Sequence, residues 1–284
     1  MPSQREIRRR IGSVRNIKQI TRAMQFVAAS KLKRAQDATL ASRPYADKID
    51  EVLADIAAVL GEEDHPLLAQ REGGTRLIVL LTSDRGLAGS LSTNVIRRAS
   101  EEITAESGDL KVVTVGRKGH AAMRRARVPI AATVEGFGER PNFAAAVPVA
   151  RLLTDDFVAG TYSRIDLVYP RFISTLVQRP VVEQLLPVEP SDDADEGIPG
   201  NQFIFEPNPE EVLRQLLPRY VATRVYQAAL ELTASFYSAQ MVAMKNATEN
   251  AQELIDDLTL TYNKVRQANI TREMIEIATG AQAS

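Results

Sequence analysis

Residues 236–284 read FYSAQMVAMKNATENAQELIDDLTLTYNKVRQANITREMIEIATGAQAS, with no proline and only Gly280 to interrupt the pattern. A run of this kind predicts one long helix. Val225, Ala228, Leu232, Ala239, Val242, Ala247, Ala251, Leu254, Leu258, Val265 and Ala268 fall near a 3.5-residue repeat, the period of a coiled-coil seam. The many alanines would let two helix axes approach closely. Asn208 is placed to cap this helix, with Pro209 at its first position and Glu210 and Glu211 at its positive end. Pro218 is expected to bend it early.

The other end of the chain behaves alike. No Pro or Gly falls between Gly12 and Pro44, and Ile7, Ile11, Val14, Ile17, Ile20, Met24 and Val27 form one stripe at spacings of three and four. Pro44 is expected to kink or interrupt the helix. Ile49, Val52, Leu53, Ile56 and Leu60 resume the stripe, and Gly61 ends it. Helices this long are not stable singly in water. The simplest arrangement pairs them antiparallel, with the intervening domain at one end.

Between the helices the period changes. The segment 75–83 (TRLIVLLTS) is a continuous apolar run, as in a strand covered on both faces. The segments 111–115, 128–134, 164–169 and 176–183 read as further strands, and 90–106, 119–127 and 143–158 as helices. Strand alternating with helix predicts an open, mainly parallel α/β sheet of Rossmann-like type. The chain is thus expected to divide into an N-terminal coiled-coil helix over 1–61, a central α/β domain over 74–188, an acidic linker over 189–207 and a C-terminal coiled-coil helix over 208–284.

Composition narrows the chemistry. With no Cys and only His65 and His120, disulfides, thiolate sites and His-rich metal sites are excluded, and no catalytic residue, cofactor or metal is assigned. No apolar run approaches the roughly 20 residues that span a bilayer. The basic N-terminus has no apolar segment after it and does not read as a secretory signal. Charge is uneven: residues 1–34 hold ten Lys/Arg against one acid, Glu6, while residues 189–211 hold eight acids and no base. Such asymmetry implies neighbours of opposite sign. The basic helix reads as a contact for protein or an acidic surface, against a solvated face or a nucleic-acid-binding arm. The last would want interleaved aromatics, and Phe26 stands alone. The turn 82–90 (TSDRGLAGS) follows a strand and opens a helix, where doubly wound folds bind phosphate. Its spacing matches neither GxGxxG nor GxxxxGK[ST], so a tight turn is the plainer reading.

Three blocks together carry a resemblance: 7–33 (IRRRIGSVRNIKQITRAMQFVAASKLK), 82–94 (TSDRGLAGSLSTN) and 241–271 (MVAMKNATENA…YNKVRQANIT). Over its whole length the chain resembles the γ-subunit family of the rotary ATP synthase. The resemblance implies a non-catalytic shaft coupling proton-driven rotation of the membrane ring to ATP synthesis. It implies as partners the α and β subunits of a surrounding hexamer, an ε subunit and a c-subunit ring. It implies no nucleic acid, no membrane insertion and a peripheral place on the cytoplasmic face of the cell membrane. The alternative, from the residues alone, is a nucleic-acid-binding coiled coil with a basic arm.

The resemblance puts β-subunit contacts on Gln267 and Thr271, with Gln240 at a further position and Met24, Arg22 and Lys18 on the opposing helix. Many relatives carry Glu and Arg where this chain has Phe236 and Gln240. Four residues apart, these positions share a helix face, so a charged contact there would be lost. Either the basic helix, with Arg8, Arg9, Arg15, Lys18 and Arg22, takes it over, or nothing does. Ala88 stands where Cys is frequent among relatives; chloroplast relatives carry a Cys-bearing regulatory insert, and with no Cys that thiol switch is absent here.

Overall fold

The computed structural model describes residues 3–60, 65–71, 73–135, 137, 140–189, 206 and 208–282. Gly61 and most of the acidic segment 189–207 lie outside them. Two compact units form: Met1–Ala29 with Gln240–Ser284, and Ser30–Ala239. The chain order is α1 (Gln4–Leu60), β1 (Arg76–Leu81), α2 (Leu91–Ala105), β2 (Leu110–Val115), α3 (Arg117–Ala126), β3 (Ile130–Val134), α4 (Phe143–Val158), β4 (Arg164–Phe172), β5 (Gln178–Leu186) and α5 (Pro209–Gln282). Helices α1 and α5 contribute to both units.

The larger unit holds a five-stranded sheet in the order β3-β2-β1-β4-β5, parallel except for the antiparallel edge pair β4–β5. Strand β1 explains its own unbroken apolar run. Leu77, Val79 and Leu81 enter one core, shared with Leu153 and Phe157 of α4, Ile56 of α1 and Leu217 and Val225 of α5. Ile78 and Leu80 enter the other, with Val95 and Ala99 of α2 and Met123 of α3. Successive side chains of a strand point to opposite faces, so a strand covered on both sides must be apolar at every position.

At the start of the strands the sheet is tied by charge. Asp166 of β4 is fully buried, and its carboxylate receives Arg76 Nε at 2.6 Å and Arg164 Nε at 3.0 Å. Arg76 also reaches Glu102 at 2.9 Å and Glu106 at 3.2 Å on and just after α2. Burial works against the Arg76 charge, but Asp166 and then the two glutamates outweigh it and hold its pKa above the usual value. At the other end of the strands Gly116 has φ 92°, and a Cβ there would stand 2.0 Å from the Thr82 carbonyl oxygen, so only glycine fits.

Both prolines expected to disturb the long helices sit inside them. Pro44 lies within α1 and Pro218 within α5. Each is on an exposed side, where water can take the carbonyl that the missing N–H leaves unbonded. The cap of α5 is as expected: Asn208 Oδ1 accepts the Glu211 N–H at 2.8 Å, and Pro209 is the first helical residue.

In the smaller unit the two helices pair antiparallel. Gln4 Nε2 donates to the Tyr262 hydroxyl at 3.1 Å, Lys18 Nζ donates to Gln252 Oε1, and Thr21 Oγ1 lies 2.8 Å from Thr248 Oγ1. Ile7, Ile11 and Ile255 bury together, with Val14, Leu258, Tyr262 and Val265 against them. A strict alternation of four and three runs through the buried and half-buried positions. On α1 it takes in Ile7, Ile11, Val14, Lys18, Thr21, Gln25 and Ala28. On α5 it takes in Met244, Thr248, Ala251, Ile255, Leu258, Tyr262, Val265 and Asn269. That is the 3.5-residue period of a coiled coil.

The seam's phase differs from the apolar count. Ile17, Ile20 and Val27, expected on the buried stripe, are 52%, 59% and 55% exposed. Leu254 and Ala268, expected on the α5 seam, are also exposed, while Ile255 takes the buried place. Counting apolar residues alone misses a seam whose middle is polar.

Candidate partner-contact surfaces

All six residues singled out for partner contact fall in the smaller unit. Arg22, Gln267 and Thr271 are exposed; Met24 and Gln240 are half-buried. Lys18 is half-buried too, and its ammonium is engaged across the seam by Gln252. The structure does not gather the six into one site. Lys18 stands level with Gln252, and Gln267 lies fifteen residues further along α5, about 22 Å at 1.5 Å per residue. Gln267 and Thr271 do share one face, and the Thr271 hydroxyl donates to the Gln267 carbonyl at 3.0 Å, a common helical back-bond.

The basic helix starts on a capping box. The Glu6 N–H donates to Ser3 Oγ at 3.3 Å, and the Ser3 N–H donates to Glu6 Oε2 at 2.9 Å. The Ser3 N–H bond is the chief reason that the Glu6 pKa lies below its ordinary value. The single acid of the first 34 residues is thereby occupied at the helix end, and Arg8, Arg9, Arg10, Arg15 and Arg22 project to solvent.

Residue 236 does not present a contact face. Phe236 is only 9% exposed and packs edge-on against Tyr237 at 5.4 Å between ring centres. With Leu232 and Phe137 it lines a groove at the carboxyl ends of β1 and β2, where Thr82–Arg85 and Gly116–Arg117 form the rim. The helix face expected to carry 236 and 240 outward together is therefore turned inward at 236. At the rim, Asp84 Oδ1 accepts the Arg117 N–H at 3.0 Å and Ser83 Oγ lies 2.9 Å from Ser92 Oγ. The 82–90 turn needs φ of 65° at Leu87 and 56° at Gly89, which fits the tight-turn reading. His120 is half-buried, its Nδ1 3.0 Å from Thr133 Oγ1.

Sequence reasoning missed the apolar residues that stay outside. In the smaller unit these are Ile17, Ile20, Phe26 and Val27 on α1, and Leu254, Leu260, Ile270, Met274, Ile275 and Ile277 on α5. Each lies off the strict four-three alternation, but that alternation shows only once polar Lys18 and Thr21 are placed in the seam by their partners on α5. Single exposed hydrophobes need no explanation, but so many around one helix pair mark a surface meant to be covered.

The family described as ATP synthase matches residues 3–283 of the chain. An ATP synthase gamma chain of Roseiflexus castenholzii is 48% identical, over 100% of this chain and 99% of that one. The chain belongs to the ATP synthase gamma family. A second relative, the gamma chain of Pelotomaculum thermopropionicum, is 44% identical over the same shares. Solved structures show the same fold across greater divergence. A chain of the Euglena gracilis mitochondrial ATP synthase OSCP/F1/c-ring structure matches with TM-score 0.68 at 19% identity, covering 99% of this chain and 94% of that one. One from the Tetrahymena thermophila central stalk/c-ring structure matches with TM-score 0.61 at 24% identity, covering 80% and 99%. The nucleic-acid alternative finds no support among gamma-family relatives. Among the described residues, no helix of this family member is long and apolar enough to cross a membrane.

Proposed function

We propose that this chain is the non-catalytic central shaft of an ATP synthase, turning inside a hexamer of α and β subunits and coupling proton-driven rotation of a c-subunit ring to ATP synthesis. The observation that carries the reading is an antiparallel helix pair that leaves Ile17, Ile20, Phe26, Val27, Leu260, Ile270 and Met274 exposed. A pair that buries its seam and keeps this much apolar surface outside fits an enclosing partner. Family membership says which assembly supplies it. Each catalytic subunit then has a different free energy at each shaft angle, because the shaft presents a different surface to each. Arg22, Gln267 and Thr271 are outward and suited to direct contact. Met24 and Gln240 offer the partly open edges of the seam, and Lys18 acts by holding Gln252. In this reading the ε subunit and the c-ring bind as further partners, and the chain is peripheral on the cytoplasmic face of the membrane.

The test is reconstitution. Purified chain mixed with cognate α and β subunits should give a hexamer containing one copy of the chain, with ATPase activity that the free chain lacks. Recovery of α and β without this chain under conditions that assemble the complex for a 44–48% identical relative would overturn the reading.

A further inference from the structure

The tip of the β4–β5 hairpin, residues 173–177, is held more firmly than a surface turn requires. The Ser174 N–H donates to the Val177 carbonyl at 3.0 Å, and Gln178 Nε2 donates to the Ser174 and Thr175 carbonyls at 3.0 and 3.1 Å. Helix α5 adds three side chains spaced four and three apart. Glu231 Oε2 accepts the Phe172 N–H at 2.7 Å, Ser235 Oγ donates to the Pro170 carbonyl at 3.0 Å, and Ser238 Oγ donates to the Thr175 carbonyl at 2.6 Å. The result is a turn pinned to the side of a long helix.

This pinned tip carries two features that folding alone disfavours. It holds Ile173, Leu176 and Val177 outward, with Leu176 at 78% the most exposed large hydrophobic residue described. And it sets Arg171 directly across the strands from Arg179. Like charges directly opposite destabilise a strand pair. Arg171 is answered by Glu183 at 2.8 Å, but Arg179 is exposed and makes no ion pair among the described residues. A local conflict kept on a rigid element is a mark of a functional surface. Rigidity also lowers the entropy lost on docking.

We infer that this hairpin tip is a docking knob for an acidic, apolar-lined segment of a neighbouring subunit, with Leu176 entering an apolar recess and Arg179 meeting a carboxylate. The inference rests on the central-shaft reading, which supplies the neighbouring subunits. A protein segment is favoured over an anionic membrane because lipid attraction is built from clusters of about four to eight bases, and this tip offers a single arginine for the purpose. Because Glu231, Ser235 and Ser238 tie the knob to α5, whatever docks there is mechanically joined to that helix.

The test uses the full chain and its Leu176→Asp/Arg179→Glu variant, titrated against purified cognate α–β hexamer, cognate ε subunit and phosphatidylglycerol vesicles. Both substituted residues are exposed, so helicity should match wild type, and melting should stay level or rise because Arg179→Glu turns the like-charge pair with Arg171 into an opposite-charge one. Leu176→Ala and Arg179→Ala serve as milder variants if the double one misfolds. The expected result is a loss of roughly tenfold or more in affinity for one protein partner, the size of a lost interface anchor. The Arg179 share should shrink in high salt. If wild type assembles and every variant binds both proteins within about twofold of it, a difference near 0.4 kcal/mol, the knob is wrong and the shaft reading stands. A loss confined to vesicles overturns it in favour of a membrane contact. Failure of wild type to bind any cognate subunit overturns both readings.

Discussion

The sheet-bearing unit and the terminal helix pair bury their apolar residues differently. In the first, β1 is buried at five successive positions and two separate cores close over its two faces. In the second, Ile7, Ile11 and Ile255 bury at the seam while Ile17, Ile20 and Phe26 face water, and the middle of the seam is given to Lys18, Thr21, Thr248 and Gln252. The sheet-bearing unit closes two cores within itself, though Ile173, Leu176 and Val177 stay outside at its hairpin tip. The helix pair has only a narrow seam, and the polar middle of that seam fixes the register of the two helices at some loss of stability.

The largest effect should come from the sheet-bearing unit. Asp166→Ala leaves Arg76 and Arg164 without their shared buried carboxylate, and losing one partner of a buried ion pair costs about 3–5 kcal/mol. Thermal melting of the free chain should fall accordingly; a loss under about 1 kcal/mol would mean the glutamates carry Arg76 unaided.

The helix pair offers a sharper contrast between two isoleucines. Ile255→Ala removes a buried seam residue and should cost about 2 kcal/mol, the low end for such truncations because a two-helix seam can relax. Ile20→Ala should leave the melting of the free chain within about 0.5 kcal/mol yet reduce recovery of the α–β complex. Equal effects of the two on the free chain would erase the distinction between seam and outward face.

Gln267→Ala with Thr271→Ala should lower complex yield or ATPase coupling while free-chain helicity stays constant. Two neutral hydrogen bonds to a partner contribute about 1–3 kcal/mol. Unchanged ATPase and yield would remove these residues from the contact.

The smallest effect concerns the start of α1. The folded pKa of Glu6 is lowered, first by the Ser3 N–H, so its contribution is present above the unfolded value and is lost as pH falls through the folded one. Hydrogen exchange at the first amides of α1 should therefore quicken, relative to the rest of the helix, as the solution is acidified below the ordinary glutamate range. Glu6→Gln should flatten that response, and an unchanged pH profile in the variant would rule out the capping box as its source.

The order of strands and helices was legible in the sequence alone. It follows from helical stripes of period about 3.6 and from short apolar runs between them, and the Asn208–Pro209–Glu211 start of α5 is local chemistry that reads the same in sequence and in space. What local pattern could not show was the phase of the seam. Ile17 and Ile20 look as buried as Ile7 and Ile11 until α5 is laid alongside, because a polar seam residue such as Lys18 is recognisable only by its partner 234 positions away. The same holds for Phe236, which reads as an outward neighbour of Gln240 but is drawn into a groove beside strands more than a hundred residues earlier. Secondary structure answers to neighbours within one or two turns. Which face is covered answers to whatever surface the rest of the fold brings up against it, and only tertiary packing decides that.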